Sequence, residues 1–141
     1  MAINSALEVD LSGQIGAELR RGVYVGAAGG QADFSRAACT TGARSVIALR
    51  SRSGGESAIR PVLQGGTVTT PRTDVDYVVT EYGVARLRGA TFAERGRRLA
   101  AIAAPEYREA LERADALTGS YLQMVHTSDH LTAVRRQHDE R

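Results

Sequence analysis

The sequence predicts a single α/β domain, and three observations carry that expectation. Up to Gly89, short runs rich in β-branched residues alternate with glycine-containing turns. Beyond Gly89 the hydrophobic period changes to that of a helix. The 141 residues, 43% of them hydrophobic, suffice for one ordinary core and no more. Strands in front and two helices behind make an α/β arrangement.

The elements follow in order. Ile3 to Leu11, INSALEVDL, alternates imperfectly and reads as a first strand ended by Ser12-Gly13. A polar stretch with Arg20 and Arg21 leads to a short strand at Val23–Val25, which runs straight into the glycine-rich GAAGGQADF. Asp33 to Cys39 is expected to be helical with Asp33 as N-cap. Ser45 to Leu49 is a short apolar run between Arg44 and Arg50, the pattern of a buried strand. SRSGGES has no large apolar group to anchor it and reads as a flexible loop. Ser57–Leu63 and Gly66–Thr70 are expected to be two strands joined by Gln64-Gly65, and Val75–Thr80 another. Phe92, Leu99, Ile102 and Ala103 share one helical face. Thr91 and Glu94 stand at the capping-box spacing. Pro105 opens a second helix, PEYREALERADAL, where a first-turn proline is harmless. The domain is expected to span 1–117, followed by a polar tail, 118–141, partly helical or disordered.

Composition removes several classes of function. Charged residues make up 24% of the chain, and 18 basic side chains oppose 16 acidic ones for a formal net charge of +2. That balance gives no long-range field of the kind a nucleic-acid binder needs. Aromatic residues are 5% and there is no Trp, so platforms for stacked bases are not expected. Every basic residue is Arg, which excludes a catalytic Lys and favours two-pronged grips on carboxylate or phosphate. A single Cys39 excludes an internal disulfide and a Cys-based zinc site. The first residues lack the basic head and apolar stretch of a signal peptide, and no run approaches the ~18 apolar residues of a membrane span. A cytoplasmic protein without membrane or nucleic-acid partners is the expectation.

The segment that can carry chemistry is VGAAGGQADFSR, Val25 to Arg36. Its Gly and Ala residues leave the backbone bare between a strand and a helix, so N–H groups can approach an anion or a carbonyl oxygen. Such a loop can cradle a phosphate or form an oxyanion hole, or it can be a tight turn with no ligand. The spacing does not match G-x-G-x-x-G, and a chain without Lys cannot form a P-loop.

Four blocks, INSALEVDLSGQ, GGQADFSRAA, TTPRTDVDYVVTEYGVARLRG and AAPEYREAL, stand in this order. Together they resemble the C-terminal domain of the acetyl-CoA hydrolase/transferase family, which includes 4-hydroxybutyrate and succinate–acetate CoA-transferases. The likeness runs from about Ile3 to about Leu111. It implies a mixed or mostly parallel sheet with flanking helices. It also implies an active site in the cleft between two such domains, where a glutamate attacks the acyl-CoA and an acceptor carboxylate or water completes the reaction. By resemblance, Gly30 is the backbone oxyanion donor, and Gly29 lets the loop pass close to the thioester. Gly26, Gly29, Gly30, Gln31 and Arg52 are the residues expected to meet coenzyme A. Gly26 stands where relatives carry a polar contact residue, Ala27 stands where they carry the first loop glycine, and Arg52 stands where they often carry Lys. Arg52 can equally be a solvated loop residue.

The family's nucleophilic glutamate lies upstream of the INSALEVDL block, so an N-terminal half is expected to supply it, and self-association is the alternative partner. No tightly bound cofactor is expected; CoA or acyl-CoA enters as substrate beside a small carboxylate. The alternative to a half-enzyme is a non-catalytic CoA-binding module or a truncated remnant. Glu8 and Glu81 are expected to make structural hydrogen bonds or to pair with Arg72, Arg86 or Arg88. His126 and His130 have the spacing of two metal ligands, but a polar tail with scattered His accounts for them. Arg95, Arg97 and Arg98 read as a solvated helix face, and Cys39 as core.

Overall fold

The structure is a computed structural model that describes residues 1–126 apart from 21 and 65, with side chains up to residue 116. In chain order the elements are β1 (Ala2–Ser5), β2 (Glu8–Asp10), β3 (Ile15–Gly16), β4 (Leu19–Arg20), β5 (Val23–Tyr24), α1 (Gln31–Thr40), β6 (Ser45–Ala48), β7 (Arg52–Ser53), β8 (Glu56–Ser57), β9 (Ile59–Arg60), a 3-10 turn (Arg72–Asp74), β10 (Tyr77–Thr80), β11 (Gly83–Arg86), α2 (Phe92–Ala101) and α3 (Pro105–His126). The main sheet has the order β1-β6-β10-β11. β6 runs parallel to both β1 and β10, and β11 closes the sheet antiparallel to β10. A smaller sheet, β3-β2-β9, and two hairpins, β4-β5 and β7-β8, complete the strands. The α/β class and the mixed sheet are as the sequence predicts.

In the main sheet Asn4, Ile47, Val78 and Ala85 stand in one cross-strand row. That face packs under α1 and α2: Asn4 Nδ2 donates to Ser35 Oγ at 3.3 Å, and Ile47, Val78 and Ala85 share one core with Leu99 and Leu111. Val9, Ile15 and Ile59 of the smaller sheet belong to the same core, so the two sheets are one hydrophobic unit. The capping box at α2 is present in full, with the Thr91 side chain accepting from Glu94 N and the Glu94 carboxylate accepting from Thr91 N. α3 starts at Pro105 and continues through Thr118 to His126; His130 lies outside the described residues.

Several expectations are corrected. INSALEVDL is two strands in two sheets. β2 pairs with β3 and β9 rather than continuing β1, and its Glu8 and Asp10 carboxylates accept from Gln64 N and Ser12 N. SRSGGES contains a hairpin, β7-β8, because Gly54 and Gly55 both take left-handed angles, φ +60° and +81°, as a two-residue turn demands. α1 begins at Gln31 with Gly30 at the N-cap, so Asp33 lies in the first turn, where its charge suits the helix dipole. Gly66–Thr70 is not a strand. Thr70 only bridges Ile15, while the Thr69 hydroxyl takes up Ala17 N at 2.9 Å and donates to Glu18 at 3.0 Å, doing with a side chain what a ladder does elsewhere. Phe92 is half exposed beneath the Arg72 guanidinium, 5.1 Å from the ring centre. Arg95 is no solvated residue: it reaches inward to the carbonyls of Ser12, Arg72 and Ala90, and burial lowers its pKa.

Candidate functional site

The topology decides which residues can meet. α1 follows β1 and precedes the parallel strand β6, packing on both. Its N-terminus and the preceding glycine loop therefore lie at the edge where β1, β6 and β10 end. In open α/β sheets ligands bind at this carboxyl edge. The residues just after β6, Arg50 to Arg52, and just after β10, Glu81 and Tyr82, share it.

The loop is built for close approach. Residues 22–29 are exposed. Gly29 sits at φ +53° with open space where a side chain would be, a backbone state that L residues adopt only at a cost. Gly30 has an ordinary φ of −92°. Its lack of a side chain matters for another reason: a Cβ there would come within 2.7 Å of the Phe34 ring. Gly26 N donates to Glu18 O at 3.3 Å, and a Cβ at Gly26 would lie 3.0 Å from Ala17 O. The loop is thereby pinned at its start to the end of the smaller sheet and opens into α1 with no side chain capping the helix. An uncapped helix N-terminus offers backbone donors and a partial positive charge to an anion. Beside it, Gln31 Nε2 is buried without a hydrogen-bond partner.

Arg52 stands on β7 rather than in a loop. Its guanidinium pairs with Glu106 and lies 5.9 Å over the Tyr107 ring, and the Tyr107 hydroxyl donates to Gly55 O at 2.7 Å. The first turn of α3 thus grips the hairpin that presents Arg52. On the other side, Arg20 of β4 donates to Ser53 Oγ, linking this hairpin to the one that runs into the glycine loop. Glu106, Tyr107 and Arg20 carry no signal in the local sequence around Arg52; only PEYREAL, standing as a block, marks two of them.

Glu8 and Glu81 are structural, with partners other than the expected arginines. Glu81 accepts from Ser51 N at 2.9 Å and from Ser51 Oγ at 2.7 Å, and these bonds, the backbone one first, hold its carboxyl below the ordinary 4.5. Glu8 accepts from Gln64 N at 3.2 Å and lies 3.7 Å from Arg60 Nε. Cys39 is half-buried rather than core, 3.7 Å from the Asp76 carboxylate, and burial pushes its thiol upward. Among the described residues no group of three or more His, Cys, Asp or Glu side chains could hold a metal ion, and no helix is long and apolar enough to cross a membrane.

Comparison with known proteins identifies the family and the fold. The model of the acetyl-CoA hydrolase/transferase C-terminal domain matches residues 1–115. The 4-hydroxybutyrate coenzyme A transferase of Clostridium kluyveri is 47% identical over 115 residues, covering 79% of this chain and 27% of that protein. The succinyl-CoA:cyclohexane-1-carboxylate CoA transferase of Geobacter metallireducens is 44% identical over 118 residues, covering 81% and 27%. Among solved structures, RipA from Yersinia pestis superposes with a TM-score of 0.75 at 40% identity, over 83% of this chain and 27% of that one. The 4-hydroxybutyrate CoA-transferase from Porphyromonas gingivalis gives 0.63 at 47% identity, over 79% and 24%. The chain spans about a quarter of the length of these relatives.

Proposed function

The chain belongs to the acetyl-CoA hydrolase/transferase family, and from that premise we propose that it forms the CoA-binding part of an acyl-CoA:carboxylate CoA-transferase or acetyl-CoA hydrolase. In this reading the loop from Gly26 to Gln31 receives the thioester end of CoA, and Gly30 N–H is the oxyanion donor. Arg52 meets the phosphate or pantetheine end. The attacking glutamate comes from the part of the family fold that these residues do not span.

The observation that supports the reading most is the bare glycine loop opening into an uncapped α1 at the carboxyl edge of the sheet. A carboxylate is a weak nucleophile toward a thioester, so the oxyanion that forms needs donors fixed in advance. A helix N-terminus behind a glycine turn supplies them without reorganisation. Glu8 and Glu81 are engaged in structural bonds, and Glu106 and Glu109 pair with Arg52 and Arg113, which favours binding rather than chemistry by this chain alone. The chemistry then needs an N-terminal half as partner, with a small carboxylate or water as acceptor. The compartment proposed is the cytoplasm.

Calorimetry and thermal shift with CoA and acetyl-CoA test the reading. Saturable binding and a rise in Tm are expected, because a ligand that binds only the folded chain must stabilise it. Arg52→Ala is expected to weaken CoA more than it weakens pantetheine if the phosphates are its target. Failure of CoA to raise Tm overturns the binding role. Steady acyl transfer or hydrolysis by the chain alone overturns the assignment of the nucleophile elsewhere.

A further inference from the structure

Arg52 has an anion of its own chain already in place. The Glu106 carboxylate holds one edge of the guanidinium, and the Tyr107 ring covers one face, 5.9 Å from Cζ to the ring centre. The two contacts differ in kind. Tyr107 is fixed from elsewhere, since its hydroxyl donates to Gly55 O at 2.7 Å. Ser51, the residue before Arg52, is buried and donates to Glu81 through both its amide and its hydroxyl. The ring and the backbone that present Arg52 are therefore set independently of Glu106. The Glu106 side chain is 44% exposed, against 54% for Arg52, and among the described residues it has no other side-chain partner.

We propose that Glu106 is an exchangeable competitor for Arg52: its carboxylate occupies the edge of the guanidinium that a CoA phosphate takes, and binding replaces one anion by the other. The inference deepens the reading above and rests on Arg52 meeting a phosphate of CoA. Three features suit Glu106 to the exchange. An exposed ion pair of this kind contributes little, whereas a phosphate carries more charge and can meet a guanidinium through two parallel bonds. A carboxylate released from Arg52 stays in the first turn of α3, where the helix dipole favours negative charge. Tyr107 stays stacked on the guanidinium, so the anion changes while β7 keeps its place. Glu106 thus sets how strongly this chain holds the phosphate end of CoA, and it leaves ligands without a phosphate untouched.

Calorimetry on the full chain compares CoA with pantetheine, which has no phosphate. Glu106→Gln is expected to tighten CoA about two- to fivefold, to leave pantetheine unchanged and to keep the circular-dichroism spectrum unaltered. The gain is expected to vanish when Arg52→Ala is added to Glu106→Gln. In the unaltered chain CoA is expected to shift the carboxylate carbon resonance of Glu106, and pantetheine to leave it in place. If Arg52→Ala weakens CoA but Glu106→Gln fails to tighten it, Glu106 orients the arginine; the inference is overturned and the reading of Arg52 stands. CoA that does not bind, or whose affinity is indifferent to Arg52→Ala, overturns both. A gain that persists without Arg52 reports a general effect of charge and overturns the inference alone, as does a Glu106 resonance that CoA does not move.

Discussion

Gly29 and Gly30 stand side by side for different reasons, and the difference is measurable. At Gly29 the backbone is left-handed with free space around it, so Gly29→Ala costs conformational energy alone, about 1 kcal/mol. At Gly30 the backbone is ordinary and the obstacle is the Phe34 ring. Thermal melts of Gly29→Ala are expected to show that modest loss, while CoA affinity falls further because the loop leaves its shape. An unchanged affinity would detach the left-handed turn from binding. Glu81 makes a second prediction at this scale. Its folded carboxyl titrates below its ordinary 4.5 because Ser51 donates to the charged form, so the stabilisation is complete above pH 4.5 and is lost as pH falls through the lowered value. Glu81→Gln is expected to lower Tm at pH 7, and the gap from the unaltered chain is expected to close as pH falls through the lowered value. A gap that persists in acid means that the amide disturbs packing rather than charge. The motif around Glu81 was legible in the sequence but its partner was not, since Ser51 lies thirty residues away in the chain.

Among the elements, those decided by local chemistry were legible and those decided by distant partners were not. The box at Thr91 and Glu94 satisfies helix donors within four residues, and Pro105 sets its own φ, so α2 and α3 begin where the sequence predicts. The β7-β8 hairpin is short and polar; it is held by two left-handed glycines and by Tyr107 and Glu106 from α3, which no window around SRSGGES contains. The candidate site divides in the same way: the glycine loop is readable from its composition, whereas the α3 grip on Arg52 is a tertiary fact. At one point of the contact between α2 and α3 the approach is closest, at Gly96. A Cβ there would lie 1.8 Å from Asp115 Oδ1, so α3 lays a carboxyl group directly on the α2 backbone. Burial raises the pKa of that carboxyl. Gly96→Ala is expected to destabilise the fold by about 2 kcal/mol through overpacking, and Asp115→Ala in the same chain is expected to recover most of the loss, since it deletes the clashing atoms. Denaturant melts of the two single variants and the double variant measure the coupling; additive losses would mean that the helices separate elsewhere.

Across the whole molecule, the main and smaller sheets do not amount to separate folding units, because one set of apolar side chains joins them. Val9, Ile15 and Ile59 come from the smaller sheet, Ile47, Val78 and Ala85 from the main sheet, and Leu99 and Leu111 from the two C-terminal helices; all lie in one cluster. The smaller sheet could not bury its apolar face without the main one, since its three-residue and two-residue strands have too few ladder bonds to stand alone. Leu99 is fully buried at the centre of this arrangement. Leu99→Ala is therefore expected to cost about 2–5 kcal/mol, the transfer free energy of the lost atoms plus the cavity they leave. The loss should appear as one shifted transition rather than as a melted helix beside an intact sheet. Far-ultraviolet circular dichroism and tyrosine fluorescence, the chain having no Trp, report different parts of the molecule, and coincident midpoints from both are the expected result. If the two signals separate in the variant, the smaller sheet and its hairpins form a unit of their own, and the glycine loop, which hangs from that unit through Gly26 and Glu18, would open without unfolding the rest.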